Sequence, residues 1–180
     1  MKHLIKVVFT FIAATLFTAA SAQNTGAYLK FDIEGKTVSL KGKDLDCYNN
    51  FEPADADNQA NNQHVFYVTD QQKQTYKLDI TILTPPHTNP VAGKLPFVPV
   101  LYKPGLPCPA AYLYLTKTVG TDLQLYNSKA NSAGSFEITK VAAGWVEGKF
   151  NIDISDTYYD DKIVHITNGT FRFKIAGEWK

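Results

Sequence analysis

The sequence predicts an all-β fold, an antiparallel β-sandwich of about ten short strands, with a lipocalin-like β-barrel as the alternative. Three observations predict it. Apolar and polar residues alternate with period two through most of the chain, the signature of strands with one buried face. Turns bearing glycine or asparagine separate these runs at short spacing. Helical periodicity is scarce.

The first 22 residues read as a secretory signal and not as part of the fold. Lys2 and Lys6 form a positive start, residues 7–20 are apolar apart from threonines, and Ala20-Ser21-Ala22 offers a small-residue cleavage site before Gln23. The apolar run is shorter than the roughly 20 residues a bilayer crossing needs. No cysteine follows it that could carry a lipid, since the only two are Cys47 and Cys108. The expectation is a single domain over residues 23–180, secreted or periplasmic, with no membrane span after cleavage.

Residues 27–33 place Ala27, Leu29, Phe31 and Ile33 on one face. Glu34-Gly35-Lys36 turns the chain into a return strand at 37–40. The polar stretch 41–63, rich in Asp, Asn and Gln, reads as a surface loop with room for one helical turn near 53–59. Residues 64–69 and 74–83 make a second hairpin, with Tyr76, Leu78, Ile80 and Ile82 on one face. All but one of the nine prolines then fall between Pro85 and Pro109. Proline lacks the ladder donor, so this region is expected to be an extended connection with edge segments. Leu95, Phe97, Val98, Val100 and Leu101 supply apolar surface for it to bury.

Further strands follow at 111–119, 123–126, 135–141, 145–154, 162–167 and 170–175. The clearest puts Val146, Gly148, Phe150, Ile152 and Ile154 inward and Trp145, Glu147, Lys149, Asn151 and Asp153 outward. Asn168-Gly169 reads as a hairpin turn, or alternatively as a glycine bulge within one long strand.

The segments Gly134-Ser-Phe-Glu-Ile-Thr-Lys140, Val146-Glu-Gly-Lys-Phe150 and Val164-His-Ile-Thr-Asn-Gly-Thr-Phe171 carry a resemblance. They resemble the C-terminal half of small exported β-proteins and lipoproteins of Bacteroidetes-type bacteria, mostly without assigned function. Pro90-Val-Ala-Gly-Lys-Leu-Pro-Phe97 is similar to a further segment of that family, with Leu95 where an aromatic is usual. The resemblance implies a bacterial β-domain and transfers no catalytic residue.

Composition narrows the function. The signal holds two lysines and no acid, so its removal takes the formal charge from +1 to −1. A near-neutral domain has no electrostatic case for nucleic acid. Its single arginine, Arg172, weakens the case for phosphate or carboxylate recognition by guanidinium forks. Two cysteines in an exported chain invite a Cys47–Cys108 disulfide, worth about 4 kcal/mol for so long a loop, with two free thiols as the alternative.

Four chemistries compete. Calcium could use Asp55 and Asp57, which open like an oxygen-ligand loop, or an irregular cluster around Asp153 and Asp156 with Asp160 and Asp161. Ala60 and Phe66 break the EF-hand pattern, and self-bonded turns explain the same acids. No cofactor is otherwise implied. A hydrolase could use His87 or His165 with a carboxylate, but no nucleophile motif is present. A structural protein could pair through a strand edge. Carbohydrate or peptide binding is the sharpest ligand reading. Tyr112 and Tyr114 share a strand face, Tyr158 and Tyr159 sit in a turn, and Trp145 lies on a polar face. Flat rings beside Asp and Asn suit sugar stacking, although they also suit plain cross-strand packing. The sequence therefore predicts a non-catalytic exported binding module.

Overall fold

The computed structural model describes residues 26–52, 61–69, 74–99, 105–159 and 161–177. The segment read as a signal, Asp55, Asp57, the helical turn expected near 53–59, Val100, Leu101 and Asp160 lie outside them.

The fold is all-β and antiparallel. The strands are β1 (Tyr28–Ile33), β2 (Lys36–Lys41), β3 (Leu45–Glu52), β4 (Asn61–Val68), β5 (Tyr76–Thr84), β6 (Gly93–Leu95), β7 (Ala110–Val119), β8 (Asp122–Asn127), β9 (Gly134–Ala142), β10 (Trp145–Asp156) and β11 (Ile163–Lys174). They join in one sheet in the order β2-β1-β11-β10-β8-β7-β5-β4-β3, with β9 and β6 branching from β10. The sheet curls into a half-barrel, so the outcome combines the two expected architectures. The branch arises because β10 is long. Its Trp145–Ile152 stretch pairs with β9, and only Ser155 and Asp156 reach β8. After β6, Phe97 bridges to Ala111 of β7, which links the branch to the opposite half.

Alternation decides which side is core. Leu29, Phe31, Phe66, Ile80, Ile82, Leu113, Phe136, Phe150, Ile152 and Phe171 are all buried between the two halves. A ladder of rings crosses that space: Phe136–Phe171 at 5.3 Å, Phe171–Phe173 at 5.6 Å and Phe66–Phe173 at 4.3 Å between centroids. Gly148 makes room for the ladder. A Cβ there would collide with the Phe171 ring and lie 2.6 Å from the Glu137 carbonyl oxygen. The β1–β2 turn reaches across the halves, where Glu34 accepts from Tyr76 Oη at 2.7 Å and pairs with Lys117 Nζ at 2.6 Å. Those two partners hold the Glu34 carboxyl below its usual range, Lys117 contributing most.

Three expectations are corrected. Much of the polar stretch 41–63 is not loop, because β3 runs through it and pairs with β4 from Leu45↔Val68 to Glu52↔Asn61. Leu45 and Cys47 face the core there, a pattern obscured by the intervening Asp and Asn. Asn168-Gly169 is not a hairpin turn but the alternative named above, a bulge within one long strand. It lies inside the continuous β11, at a bulge where the register with β10 shifts between Phe150 and Ile152. Asn168 takes φ 53°, and a Cβ on Gly169 would press the Phe150 ring at 2.6 Å. Finally, Cys47 and Cys108 are not bonded. The Cys47 thiol donates to the Lys174 carbonyl against the main core. Cys108 packs on a separate cluster of Leu83, Val98 and Ala110 outside the sheet. The curl of the sheet places the two thiols on opposite sides of it. Among the described residues no helix is long and apolar enough to cross a membrane.

Candidate functional site

The outward face of β3, β4, β5, β7 and β8 collects tyrosines. Register alignment makes two rows across it. One row runs Tyr48, Val65, Thr81, Tyr112. The other places Asp46 opposite Tyr67, and Asp79 opposite Tyr114, which is opposite Asn127. Strand alternation puts both rows on one side. Tyr48 and Tyr67 meet edge to face at 5.7 Å, and Tyr67 Oη donates to Asp46 at 3.3 Å. Tyr112 is half-buried against Leu83, Val98 and Ala110, so the proline-rich segment buttresses it from one side.

Tyr158 and Tyr159 join from the β10–β11 turn, brought alongside β8 by the short β10–β8 pairing. Thr157 N donates to Leu125 O at 2.8 Å. Asp156, itself buried, shapes this turn. Its carboxylate accepts the backbone N–H of Tyr158 at 2.8 Å and of Tyr159 at 3.1 Å. Both rings therefore point outward from a hydrogen-bonded turn, Tyr158 at 76% exposure, and Lys162 Nζ sits 4.2 Å from the Tyr159 ring centroid. Tyr158 is close enough to Tyr114 to perturb its phenol electrostatically.

Burial raises the phenol pKa of Tyr67, Tyr112 and Tyr114, with Asp46 adding to the first and Tyr158 and Asp79 to the last. All three stay neutral hydrogen-bonding groups at ordinary pH. Burial also raises the Asp79 carboxyl, partly opposed by the Val68 N–H and Lys77. The face thus offers flat rings beside fixed carboxylates and amides, the chemistry that stacks and hydrogen-bonds a sugar ring.

The structure brings together three of the five aromatics expected to bind ligand, Tyr112, Tyr114 and Tyr158, while Tyr159 sits beside Tyr158 in the turn with Lys162 over its ring. Trp145 stands apart. It lies eleven residues before Asp156 along β10, up to about 36 Å away at strand rise. The Arg172 guanidinium covers its ring at 3.9 Å, held in turn by Glu147 at 3.3 Å and the Gly26 carbonyl at 3.1 Å. Tyr48 and Tyr67 were not expected. Tyr48 falls in the stretch read as loop, and the Leu45, Cys47, Phe51 alternation is the signal that would have placed it.

Of the acids expected to hold calcium, the described Asp153 and Asp156 have other partners. Asp156 holds its turn, and Asp153 accepts from His165 Nδ1 at 2.7 Å on the outer side of β10 and β11. Among the described residues no three His, Cys, Asp or Glu side chains converge on a metal-sized site.

The histidines occupy three unlike settings. His165 is exposed and borders a cleft of about 400 Å³ shared with Asp32, Glu34 and Thr167. Hydrogen bonds from Thr37 and Asn168 keep the Asp32 carboxyl below its usual range. Among the described residues no serine, threonine or cysteine hydrogen-bonds His165. His87, at φ 55°, stacks on Phe51 at 4.7 Å. His64 is 1% exposed. Its Nε2 lies 3.0 Å from Asn62 Nδ2 and 3.2 Å from both Thr84 Oγ1 and the Thr88 carbonyl, while Nδ1 has no partner. Burial pushes this histidine down to about 4.

Compared with known proteins, the chain matches no family model, no curated protein and no solved structure.

Proposed function

We propose that this chain is an exported, non-catalytic binding module whose tyrosine face takes carbohydrate. One observation carries the reading: Tyr48, Tyr67, Tyr112, Tyr114 and Tyr158 collect along one outer sheet face, with Asp46, Asp79 and Asn127 set among them. Rings on a paired sheet are ordered before any ligand arrives, which lowers the entropic cost of stacking. The export part rests on the residue pattern of positions 1–22, and the likeness to small exported bacterial β-proteins agrees with it. Titration of residues 23–180 against a panel of neutral glycans tests the reading. Saturable binding supports it; no binding to any glycan, with turnover of ester or glycoside substrates, overturns it.

A second reading is hydrolysis through His165, favoured by the 2.7 Å contact to Asp153 beside a cleft. That pair could orient a histidine base. Turnover abolished by both His165→Ala and Asp153→Asn would establish it.

A further inference from the structure

A second cleft lies away from the tyrosine face, where β5 ends and β7 begins. Its apolar walls are Ile82, Leu95 and Ile138, which face inward from β5, β6 and β9, together with Pro85, Val91 and Pro109. The cleft encloses about 250 Å³.

We propose that this cleft binds a small, uncharged, apolar molecule, in the size range of naphthalene or 1-octanol. Three features specify that occupant. No lining residue carries a charge. The two threonine hydroxyls at its rim are already engaged. Thr84 Oγ1 donates to the Thr88 carbonyl at 2.8 Å, Thr88 Oγ1 donates to the Pro85 carbonyl at 2.7 Å, and Asn62 Nδ2 donates to the Thr88 carbonyl at 3.1 Å. A polar ligand entering the cleft would lose its water and meet threonine hydroxyls that are already bonded. An apolar ligand loses nothing of this kind. The volume exceeds the roughly 150 Å³ in which a buried apolar cavity takes benzene, so a bicyclic ring or an eight-carbon chain fits.

The cleft is built to persist when empty. Three of its lining residues are proline, Pro85, Pro90 and Pro109, and the 84–88 turn is cross-bonded to Asn62 and His64 beneath it. Val91, 65% exposed at the rim, leaves apolar surface that an occupant would cover. This site is independent of the tyrosine face, and either assignment stands without the other.

Methyl-labelled protein titrated with 1-octanol and with naphthalene tests the proposal. The expected result is saturable shifts confined to the methyl groups of Ile82, Val91, Leu95 and Ile138. Leu95→Trp, which fills the cleft, should weaken binding about tenfold or more. Should that variant fail to fold, Val91→Asp serves instead, because an exposed rim position tolerates the change. Asp122→Asn, an exposed change beyond the far end of β7, should bind as the wild type does. The proposal is overturned by shifts that are absent up to the solubility limit, by shifts scattered over the surface, or by wild-type binding in Val91→Asp. It is equally overturned if only a peptide bearing a central Leu or Trp shifts these methyls, which would make the cleft a peptide-docking site.

Discussion

His64 should make the stability of this protein depend on pH in a way that one substitution removes. The side chain is buried, its Nδ1 has no partner, and its pKa is about 4 against an ordinary 6.5. Between those values the unfolded chain binds a proton that the folded protein refuses. Stability is therefore complete above 6.5 and falls as pH drops toward 4. At about 1.4 kcal/mol per unit, the loss reaches roughly 2 kcal/mol at pH 5 and about 3 kcal/mol at pH 4. Other groups add their own slopes, Asp32 and Glu34 in the same direction and Asp79 in the opposite one. The difference between wild type and His64→Leu isolates the histidine. The Thr88 carbonyl still accepts from Asn62 and Thr84 in that variant. Urea unfolding followed by tryptophan fluorescence from pH 7.5 to 4 supplies both curves. The wild type should lose about 3 kcal/mol more than the variant over that range. Parallel curves, or an NMR titration of His64 centred near 6.5, would refute the reasoning.

Further outcomes follow from the core and the tyrosine face. Gly148→Ala should cost about 1–3 kcal/mol, because its Cβ meets the Phe171 ring and the Glu137 carbonyl, and urea unfolding measures it. Asp79→Asn should stabilise the protein at pH 7. A carboxyl whose folded pKa is raised contributes stability below its unfolded pKa and loses it as pH rises, so removing the buried charge relieves a cost. The gain should vanish near pH 3 in the same assay. Mass spectrometry of the denatured, unreduced protein should find two free thiols, and a reductant should leave the Tm unchanged. Burial raises Cys47 to about 11, so the native protein should alkylate slowly at that residue.

Local patterning was legible where tertiary context agreed with it. The alternation of Val146, Phe150, Ile152 and Ile154 reads directly as β10, and the structure buries all four. It failed where polar residues fill a strand. β3 carries Asp46, Asn49 and Asn50 among its core residues, and they obscure the alternation of Leu45, Cys47 and Phe51. Asn168-Gly169 satisfies the chemistry of a turn, yet Gly169 lies against the Phe150 ring, which a Cβ there would meet at 2.6 Å. The disulfide expectation failed because no spacing along the chain reports which side of a curled sheet a thiol occupies. Tyr112 and Tyr114 were visible as one face because alternation is local. That Tyr158 joins them depends on two register pairs between β10 and β8, a contact across the sheet that no periodicity encodes.

The most direct test of the tyrosine face compares three variants by glycan titration calorimetry. Tyr114→Ala and Tyr158→Ala each remove a ring and should weaken the best-binding glycan by about tenfold, the equivalent of roughly 1.5 kcal/mol of stacking. Trp145→Ala, on the far half under Arg172, should leave affinity unchanged. Affinity lost with Trp145→Ala and kept in both tyrosine variants would contradict the account.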